Sequence, residues 1–294
     1  MDCGESGFAP VDKLAVVGLG LIGGAVARAA KARGLARHVV AVGRRPADLQ
    51  AALDAGIVDQ AETNLAEGLA GADLIVLARP VEVIVAEMPA VLAAAPAGAL
   101  VTDAGSTKAA IVAAAGKAAR PGGAVFVGSH PMAGSDKTGW RHSTADLFEG
   151  ATTIVTLSED TDLDAVARAG AFWAALGSRI VYCGPAHHDA LVGLVSHVPH
   201  MVAVGLAEQL AEHRADAEFL RILAGPGVRD TTRVAAGDPD LWQQICLQNP
   251  GGIADALEET GRRILQLAEL VRTGNGPELR ARLAKARDMR QALE

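Results

Sequence analysis

The 294-residue sequence contains only three cysteines, and they are widely separated. Cys3, Cys183 and Cys246 form no CxxC pair, so neither a disulfide framework nor a cysteine zinc site is predicted. Reduced thiols in a cytosolic protein fit this distribution. Packing is the expected role of each cysteine, and a single reactive thiol is the alternative.

Two further absences narrow the class of protein. Acidic side chains outnumber basic ones and the formal net charge is -7, so the sequence offers no basic surface for a nucleic-acid backbone. The longest apolar stretches are interrupted by glycine or charge well short of the length of a membrane span. Residues 1–12 lack the basic and apolar regions of a signal peptide. We therefore expect a soluble, cytoplasmic protein without nucleic-acid or membrane partners.

The first half of the chain alternates between short apolar runs and alanine-rich segments. The apolar runs are nearly continuous, as in strands covered on both faces, and occupy residues 13–17, 38–42, 73–78, 99–102 and 124–127. Helices are expected between them, at 25–33, 46–55, 81–95 and 108–119. This alternation predicts an α/β fold with an open parallel sheet. Two further strands are expected at 151–157 and 178–182, around a helix at 163–176.

After about residue 184 the pattern changes to helices, expected at 186–213, 217–224, 240–247 and 253–293. The predicted organisation is an α/β domain over residues 1–184 and an all-helical domain over 185–294. Leu257, Ile264, Leu267 and Val271 form an apolar face on the last of these helices. Core packing is the favoured role of this face, and a dimer interface is the alternative.

The sharpest local motif is GLGLIGG at residues 18–24, which directly follows a predicted strand and precedes a helix. In a dinucleotide-binding turn Gly18 permits the tight bend, Gly20 lets the backbone approach a pyrophosphate, and Gly23 lets helix and strand pack closely. The helix N-terminus then offers free N–H groups to the phosphates. The first domain is therefore predicted to be a Rossmann-type dinucleotide-binding domain, with a purely structural glycine turn as the alternative.

The end of the second predicted strand bears on the choice of cofactor. An acidic residue usually stands there to bind the adenosine ribose, but this sequence has Arg44 and Arg45. Two guanidinium groups can clamp a 2′-phosphate, so NADP is preferred over NAD. The alternative is a solvated arginine pair that opens the next helix. Leu21 and Ile22, within the glycine motif, are expected to contact either cofactor.

Two segments near the predicted carboxyl ends of strands carry chemically useful groups. DAGSTK at 103–108 opens a helix, and GSHPMAGS at 128–135 is predicted to be a loop. His130 is the candidate base, because a histidine of near-neutral pKa suits removal of a hydroxyl proton during hydride transfer. The alternative for the first segment is that Ser106 or Thr107 simply caps the helix.

Together these motifs resemble the prephenate and arogenate dehydrogenases of tyrosine biosynthesis. The resemblance spans nearly the whole chain, and its most specific motifs, in order, are HPMAG, SHVPH and DTTRVAAGDPDLW. It implies oxidative decarboxylation of prephenate or arogenate to 4-hydroxyphenylpyruvate or tyrosine, with hydride transfer to NAD(P)⁺. It also implies that the helical domain forms a homodimer. The choice between prephenate and arogenate stays open.

The resemblance implies roles for five residues in particular. His130 matches the catalytic histidine of the family, and Ser106 matches a serine that orients the substrate hydroxyl beside the cofactor. Arg233 matches the arginine that receives the substrate carboxylate, where a planar guanidinium binds two oxygens. His200 is assigned a substrate contact, and His197 a positioning role.

Three more positions match the family's substrate pocket. Asp230 would join a polar network, Trp242 would reach the pocket from a partner subunit, and His188 would hold a water or a substrate group. Each has a structural alternative: a buried charge pair for Asp230, core packing for Trp242, and a helix N-terminus at residues 187–189.

Other chemistries are weighed against this interpretation. A metal site is disfavoured, because HExxH is absent and Pro199 disturbs the helix that would aim His197 and His200 at one ion. A β-hydroxyacid or imine-type reductase would carry a lysine or aspartate at about 192–200, where this sequence has serine and histidine. A non-catalytic dinucleotide sensor would lack a serine, histidine and arginine set of the kind that is present here.

Overall fold

A computed structural model of the chain describes residues 7–134, 137–158 and 161–293, without the side chain of Arg214. Cys3 and Ser135 lie outside the described residues. The chain divides into two compact units. The first comprises the residues up to Val192 together with Gly237–Asn249, and the second comprises Gly193–Ala236 and the residues from Pro250 onward. The domain boundary predicted after residue 184 stays a prediction.

Six parallel strands form the main sheet of the first unit. In chain order they are β1 Val11–Val17, β2 Ala36–Val42, β3 Gln60–Glu62, β4 Leu74–Leu77, β5 Leu100–Asp103 and β6 Val125–Val127. Their order across the sheet is β3-β2-β1-β4-β5-β6, so the order reverses between β1 and β4. The predicted Rossmann-type domain is confirmed. The short β3 was not predicted, because its residues QAE form no apolar run.

Apolar side chains cover this sheet on both faces. Leu14 and Val16 belong to one buried cluster, and the alternating Ala15 and Val17 belong to another on the opposite face. The first cluster also contains Trp173. Burial on both faces is the physical reason that these strands lack polar alternation.

A second sheet of three strands contains β7 Ser129–Met132, β8 Thr152–Thr156 and β9 Arg179–Cys183. β7 runs antiparallel to β8, which is parallel to β9. The expectation that His130 lies in a loop is wrong, since His130 is in β7 and pairs with Ile154. The strand tolerates Pro131 because β7 is an edge strand, where a missing N–H need not interrupt a ladder.

Thirteen α-helices occur in the described residues. In chain order they are α1 Leu21–Ala32, α2 Pro46–Asp54, α3 Leu65–Leu69, α4 Val81–Ala94, α5 Ala109–Ala118, α6 Leu163–Ala175, α7 Pro185–Val192, α8 Val198–Glu212, α9 Ala217–Leu223, α10 Pro226–Thr232, α11 Pro239–Gln248, α12 Pro250–Arg272 and α13 Gly276–Gln291. The first seven and α11 belong to the first unit, and the rest form the second, which is all helical as predicted.

The helix predicted at 186–213 is present, but it is more apolar than expected. α7, a π-helical turn at Gly193–His197 and α8 run on as a continuous 28-residue helix, Pro185–Glu212. Among the described residues it alone has the length and mean hydropathy of a membrane span, so the expectation that apolar stretches fall well short of one is wrong here. The helix nevertheless carries the buried His188, His197 and His200, which would be costly to place in hydrocarbon.

In the second unit, α12 packs against α8 and α13. α12 and α13 were predicted as one helix, but the chain turns at Gly274, whose φ is +64°, and the Asn275 side chain caps α13. Ile264 and Val271 are 51% and 66% exposed in the single chain. The favoured expectation that this face of α12 packs in the core is therefore wrong for these two residues.

Candidate active site

The glycine motif forms a turn that only small residues can make. Gly18 has a φ of +100°, and a Cβ atom there would lie 2.4 Å from the Ala78 carbonyl oxygen. A Cβ on Gly23 would lie 2.0 Å from the oxygen of Gly18, whereas one on Gly20 would meet nothing within 4 Å. Open space therefore lies above Gly20, at the start of α1, and suits the pyrophosphate of a dinucleotide.

The start of α1 also has the electrostatic character that a phosphate needs. Gly20 is the N-cap residue and has no side chain to satisfy the first N–H groups, and the first turn contains no acidic residue. These N–H groups and the positive end of the helix dipole favour an anion. The residues present thus fit a dinucleotide cofactor.

A cavity of about 600 Å³ extends from the glycine motif past Arg44 and Arg45. Its wall also contains Asp48, whose carboxylate accepts from Arg45 at 2.8 Å and lies 3.3 Å from Nη1 of Arg141. This carboxylate was not predicted, because the cofactor prediction rested only on the residues at the end of the second strand. The sequence signal was its position three residues after Arg45, in the first turn of α2. Arg79, after β4, lines the same cavity and was also missed.

Ser106 lies in a neighbouring cavity of about 200 Å³, whose wall includes Leu241, Gln244 and Ile245 of α11. The alternative that Ser106 or Thr107 caps α5 is wrong. The cap is the Asp189 carboxylate, which accepts from the backbone N–H groups of Lys108 at 2.7 Å and Ala109 at 2.9 Å. Ser106 is thus not needed as the cap of α5.

A fully buried ion pair supports this region. The Lys108 ammonium group donates to the Asp103 carboxylate and, at 2.8 Å, to the Ser129 carbonyl oxygen. Asp103 also accepts from the backbone N–H groups of Ser129 at 2.9 Å and Gly105 at 2.8 Å. Burial lowers the pKa of Lys108, against the opposing effect of the Asp103 charge. These contacts tie the segment that carries Ser106 to the strand that carries His130.

His130 is linked to a second histidine and a carboxylate. Its Nδ1 atom lies 2.9 Å from Nε2 of His188, and Nδ1 of His188 lies 2.8 Å from the Asp189 carboxylate. Burial raises the pKa of Asp189, but hydrogen bonds from His188 and from the N–H groups of Ala109 and Lys108 outweigh it, so the pKa is lowered overall. Asp189 is therefore ionised near neutral pH.

The ionised carboxylate determines where the protons lie. Because Asp189 can only accept, the Nδ1–H group of neutral His188 donates to it, and Nε2 of His188 is then an acceptor. His130 consequently donates through Nδ1–H, which leaves its Nε2 as the unprotonated, basic nitrogen. This is the state that a general base requires.

Comparison with known proteins shows the family of this chain. The nucleotide-binding domain of prephenate dehydrogenase matches residues 26–182, and the dimerization domain of prephenate dehydrogenase matches residues 184–285. The chain belongs to the prephenate dehydrogenase family. Its motif resemblance is thereby confirmed, and the chain is an NAD(P)-dependent dehydrogenase that catalyses an oxidative decarboxylation.

Individual relatives cover almost the whole chain. Prephenate dehydrogenase of Bacillus subtilis is 32% identical over 96% of this chain and 76% of its own length. Cyclohexadienyl dehydrogenase of Zymomonas mobilis is 29% identical over 96% of both chains. The structure of Aquifex aeolicus prephenate dehydrogenase with hydroxyphenyl propionate and NAD⁺ has a TM-score of 0.89, 29% identity, and coverage of 96% and 98% of the two chains. The structure of Synechocystis arogenate dehydrogenase has a TM-score of 0.85 and 30% identity, and the match covers 96% of this chain and 100% of that one.

Within this family member, the predicted substrate residues fall in both units. His188 and Trp242 belong to the first unit. Both ring nitrogens of His188 contact protein groups, His130 and Asp189, which argues against a direct hydrogen bond from His188 to the substrate. Trp242 is half-buried rather than a core residue. The alternative of a helix N-terminus at residues 187–189 holds only in part, because α7 begins at Pro185.

The other predicted substrate residues belong to the second unit. His197 and His200 are buried on the long helix, and burial lowers the pKa of His200. Arg233 begins a 3-10 helix that packs against α8, and it is exposed. Asp230, in α10, is exposed too, so the alternative of a buried charge pair is wrong.

The remaining candidates for special chemistry are metal ligands and thiols. The described residues contain no group of three or more histidine, cysteine or acidic side chains placed to hold a metal ion. Burial raises the pKa of Cys183, and burial also raises the pKa of Cys246. A raised pKa reduces the thiolate fraction, which favours the packing role for these two thiols.

Proposed function

We propose that this chain oxidises prephenate or arogenate with NADP as the preferred acceptor and releases carbon dioxide. The observation that carries the proposal is the link from Asp189 through His188 to His130. We infer from it that Nε2 of His130 is the basic nitrogen, because Asp189 can only accept. A ring hydroxyl that loses its proton as its carbon loses hydride needs a base of this kind.

His130 and Ser106 perform the proton chemistry in this proposal. Ser106 orients the substrate's ring hydroxyl, and Nε2 of His130 accepts its proton. A bound nicotinamide ring supplies the acceptor for the hydride that leaves the same carbon. The bond to the carboxylate carbon then breaks, and its electrons enter the ring as carbon dioxide departs. His188 and Asp189 are positioning residues, because they fix the tautomer and direction of His130.

Arg233 holds a substrate carboxylate in this proposal. Arg233 is an exposed residue in the single chain, and its guanidinium group can bind a carboxylate through two parallel hydrogen bonds. His200 contacts the substrate side chain and His197 positions that contact. Asp230 joins the polar network around the substrate, and Trp242 lines the pocket from a partner subunit.

The cofactor preference rests on Arg44 and Arg45. Arg44 is exposed on the cavity wall, so its charge is available to a 2′-phosphate. Arg45 forms an ion pair with Asp48. The Asp48 carboxylate can also accept hydrogen bonds from the adenosine ribose hydroxyls of NAD, so the cavity can bind either cofactor. Gly18, Gly20, Leu21, Ile22 and Gly23 bind the part of the cofactor that NAD and NADP share.

We also propose a cytoplasmic homodimer formed through the helical unit. Large apolar side chains such as Phe219, Ile222 and Leu223 are more than two-thirds exposed in the single chain. A second copy would remove them from water, which is the main favourable contribution to such an interface.

The deciding experiment is absorbance at 340 nm with purified protein and four mixtures: prephenate or arogenate, each with NAD or NADP. We expect cofactor reduction with at least one substrate and a higher kcat/KM with NADP. No reduction in any mixture would contradict the proposed reaction. Reduction with a clear preference for NAD would contradict only the choice of cofactor.

A further inference from the structure

Arg79 occupies the point in the sheet where the strand order reverses. It follows β4 by two residues, and β4 neighbours β1, which leads into the glycine motif. In parallel sheets of this kind, ligands bind outside the carboxyl ends of the strands at that reversal. No motif in the sequence predicts a role for this residue.

The side chain of Arg79 lies over the glycine turn. Its Cγ atom would be 2.7 Å from a Cβ atom on Gly18, so its stem occupies the space that the missing side chain leaves. Arg79 lines both the cavity of the glycine motif and the cavity of Ser106. It is therefore placed between the turn expected to hold the cofactor phosphates and the serine expected beside its nicotinamide.

Glu87 of α4 holds the guanidinium group in place. Nη1 of Arg79 contacts both carboxylate oxygens of Glu87, one of them at 2.6 Å, and the Arg79 side chain is only 13% exposed. No described residue accepts a hydrogen bond from Nε or Nη2 of Arg79. Since a guanidinium group carries five N–H donors, the pair with Glu87 leaves donors for a ligand.

The charge requirement of a pyrophosphate explains why such a residue is needed. A dinucleotide pyrophosphate carries two negative charges, and the helix dipole of α1 supplies only about half a positive charge. Arg44 and Arg45, the other two cations in the cavity wall, follow β2 rather than β4. We propose that Arg79 binds the cofactor pyrophosphate and that Glu87 restrains the guanidinium over the glycine turn. This inference rests on the proposed dinucleotide site but not on the substrate or on the preference for NADP.

Isothermal titration calorimetry with ADP-ribose tests the proposal without substrate or catalysis, because ADP-ribose contains the pyrophosphate but no nicotinamide. Arg79→Met should raise the dissociation constants of ADP-ribose, NAD and NADP alike, by about tenfold or more, since a hydrogen bond to a charged group is lost. Arg79→Lys should recover part of the affinity. Arg44→Met, in the same cavity, should weaken only NADP.

Glu87→Gln separates a binding role from a structural one. It removes the competing negative charge but keeps an oxygen that can accept from Nη1 of Arg79, so the guanidinium group stays restrained. ADP-ribose binding should therefore stay equal or become tighter, opposite in sign to the effect of Arg79→Met. Weaker binding in both variants, with equal falls in thermal stability, would overturn the proposal, since the pair would then serve only to hold α4. Unchanged ADP-ribose binding in folded Arg79→Met would overturn it as well. If the wild type binds ADP-ribose but turns over no substrate at 340 nm, the proposed reaction fails while this inference stands.

Discussion

Nδ1 of His130 lies 2.9 Å from Nε2 of His188, so one nitrogen of this pair donates the hydrogen and the other accepts it. Since Asp189 holds a proton on the far nitrogen of His188, His130 presents its basic nitrogen away from the pair. His188 and Asp189 thus fix the tautomer of the candidate base without needing to contact the substrate.

His130→Asn should therefore reduce kcat by about 10²- to 10⁴-fold, the usual contribution of a general base. Steady-state rates at 340 nm measure the loss, and titration with the cofactor alone serves as the control. Cofactor affinity should stay near that of the wild type, because His130 acts on the substrate. Near-normal turnover in this variant would remove His130 from the proposed role.

Asp189→Asn should change how stability depends on pH. The pKa of Asp189 is lowered on folding by His188 and two backbone N–H groups, so its contribution is complete above its unfolded pKa of about 3.9 and is lost as pH falls through the folded value. Urea unfolding should find the variant less stable by about 1–3 kcal/mol at pH 7. The difference should persist down to about pH 4.5 and narrow below about pH 4. A gap that widened in acid would contradict this assignment.

The positions of Ser106 and His130 could be predicted as motifs, but their support could not. The contact between Lys108 and Asp189 joins residues 81 positions apart, and that between His130 and His188 joins residues 58 apart. Such pairs depend on how the strands and α7 are arranged in space. A sequence containing many serine, histidine and aspartate residues does not indicate which of them meet.

Arg233→Ala should raise the KM for the substrate by about tenfold or more, because the carboxylate loses a charged hydrogen-bond partner. Arg233→Lys should recover only part of this, since an ammonium group lacks the planar fork. Arg229→Ala is a matched control on α10, because Arg229 donates to the Ala224 carbonyl oxygen and has no proposed substrate contact. Equal effects at positions 229 and 233 would indicate a general loss of positive charge instead.

Arg44→Ala should lower kcat/KM for NADP by about tenfold or more and leave that for NAD nearly unchanged, since only NADP has a 2′-phosphate. The measurement is a paired titration of both cofactors at a saturating substrate concentration. Arg37→Ala removes a cation from an exposed ion pair with Asp12 and should affect neither cofactor. An equal fall in kcat/KM with NAD and with NADP would indicate that Arg44 binds a part of the cofactor that both share.

Substitutions in the glycine motif should separate folding from binding. Gly20→Val places its side chain in open space, so the free energy of unfolding should change by less than about 1 kcal/mol while cofactor affinity falls strongly. Gly23→Ala meets the Gly18 oxygen and should destabilise the fold by about 1–3 kcal/mol. Urea unfolding and cofactor titration of both variants check these expectations. Tight cofactor binding by Gly20→Val would place the pyrophosphate elsewhere.

The glycine motif and Arg44 could be predicted because their geometry is local: a strand, a turn and a helix follow in order. Asp48 and Arg79 escaped prediction for two reasons. Asp48 resembles an ordinary acidic residue in the first turn of a helix, where the dipole favours it. Arg79 becomes meaningful only once β4 is known to lie beside β1. The length of the helix Pro185–Glu212 was predicted to within one residue at each end, but its apolar character was missed because its glycines were taken as interruptions.

The first unit is discontinuous in sequence, since Gly237–Asn249 returns to it after the chain has built part of the second. α11 supplies Leu241, Gln244 and Ile245 to the wall of the Ser106 cavity, and Asn249 donates to the Asp189 carbonyl oxygen at 2.8 Å. During translation, all six strands of the main sheet are synthesised before α11. The glycine turn can therefore form early, whereas the cavity around Ser106 is completed only after α11 has been synthesised. Formation of the active site is thus delayed relative to folding of the sheet.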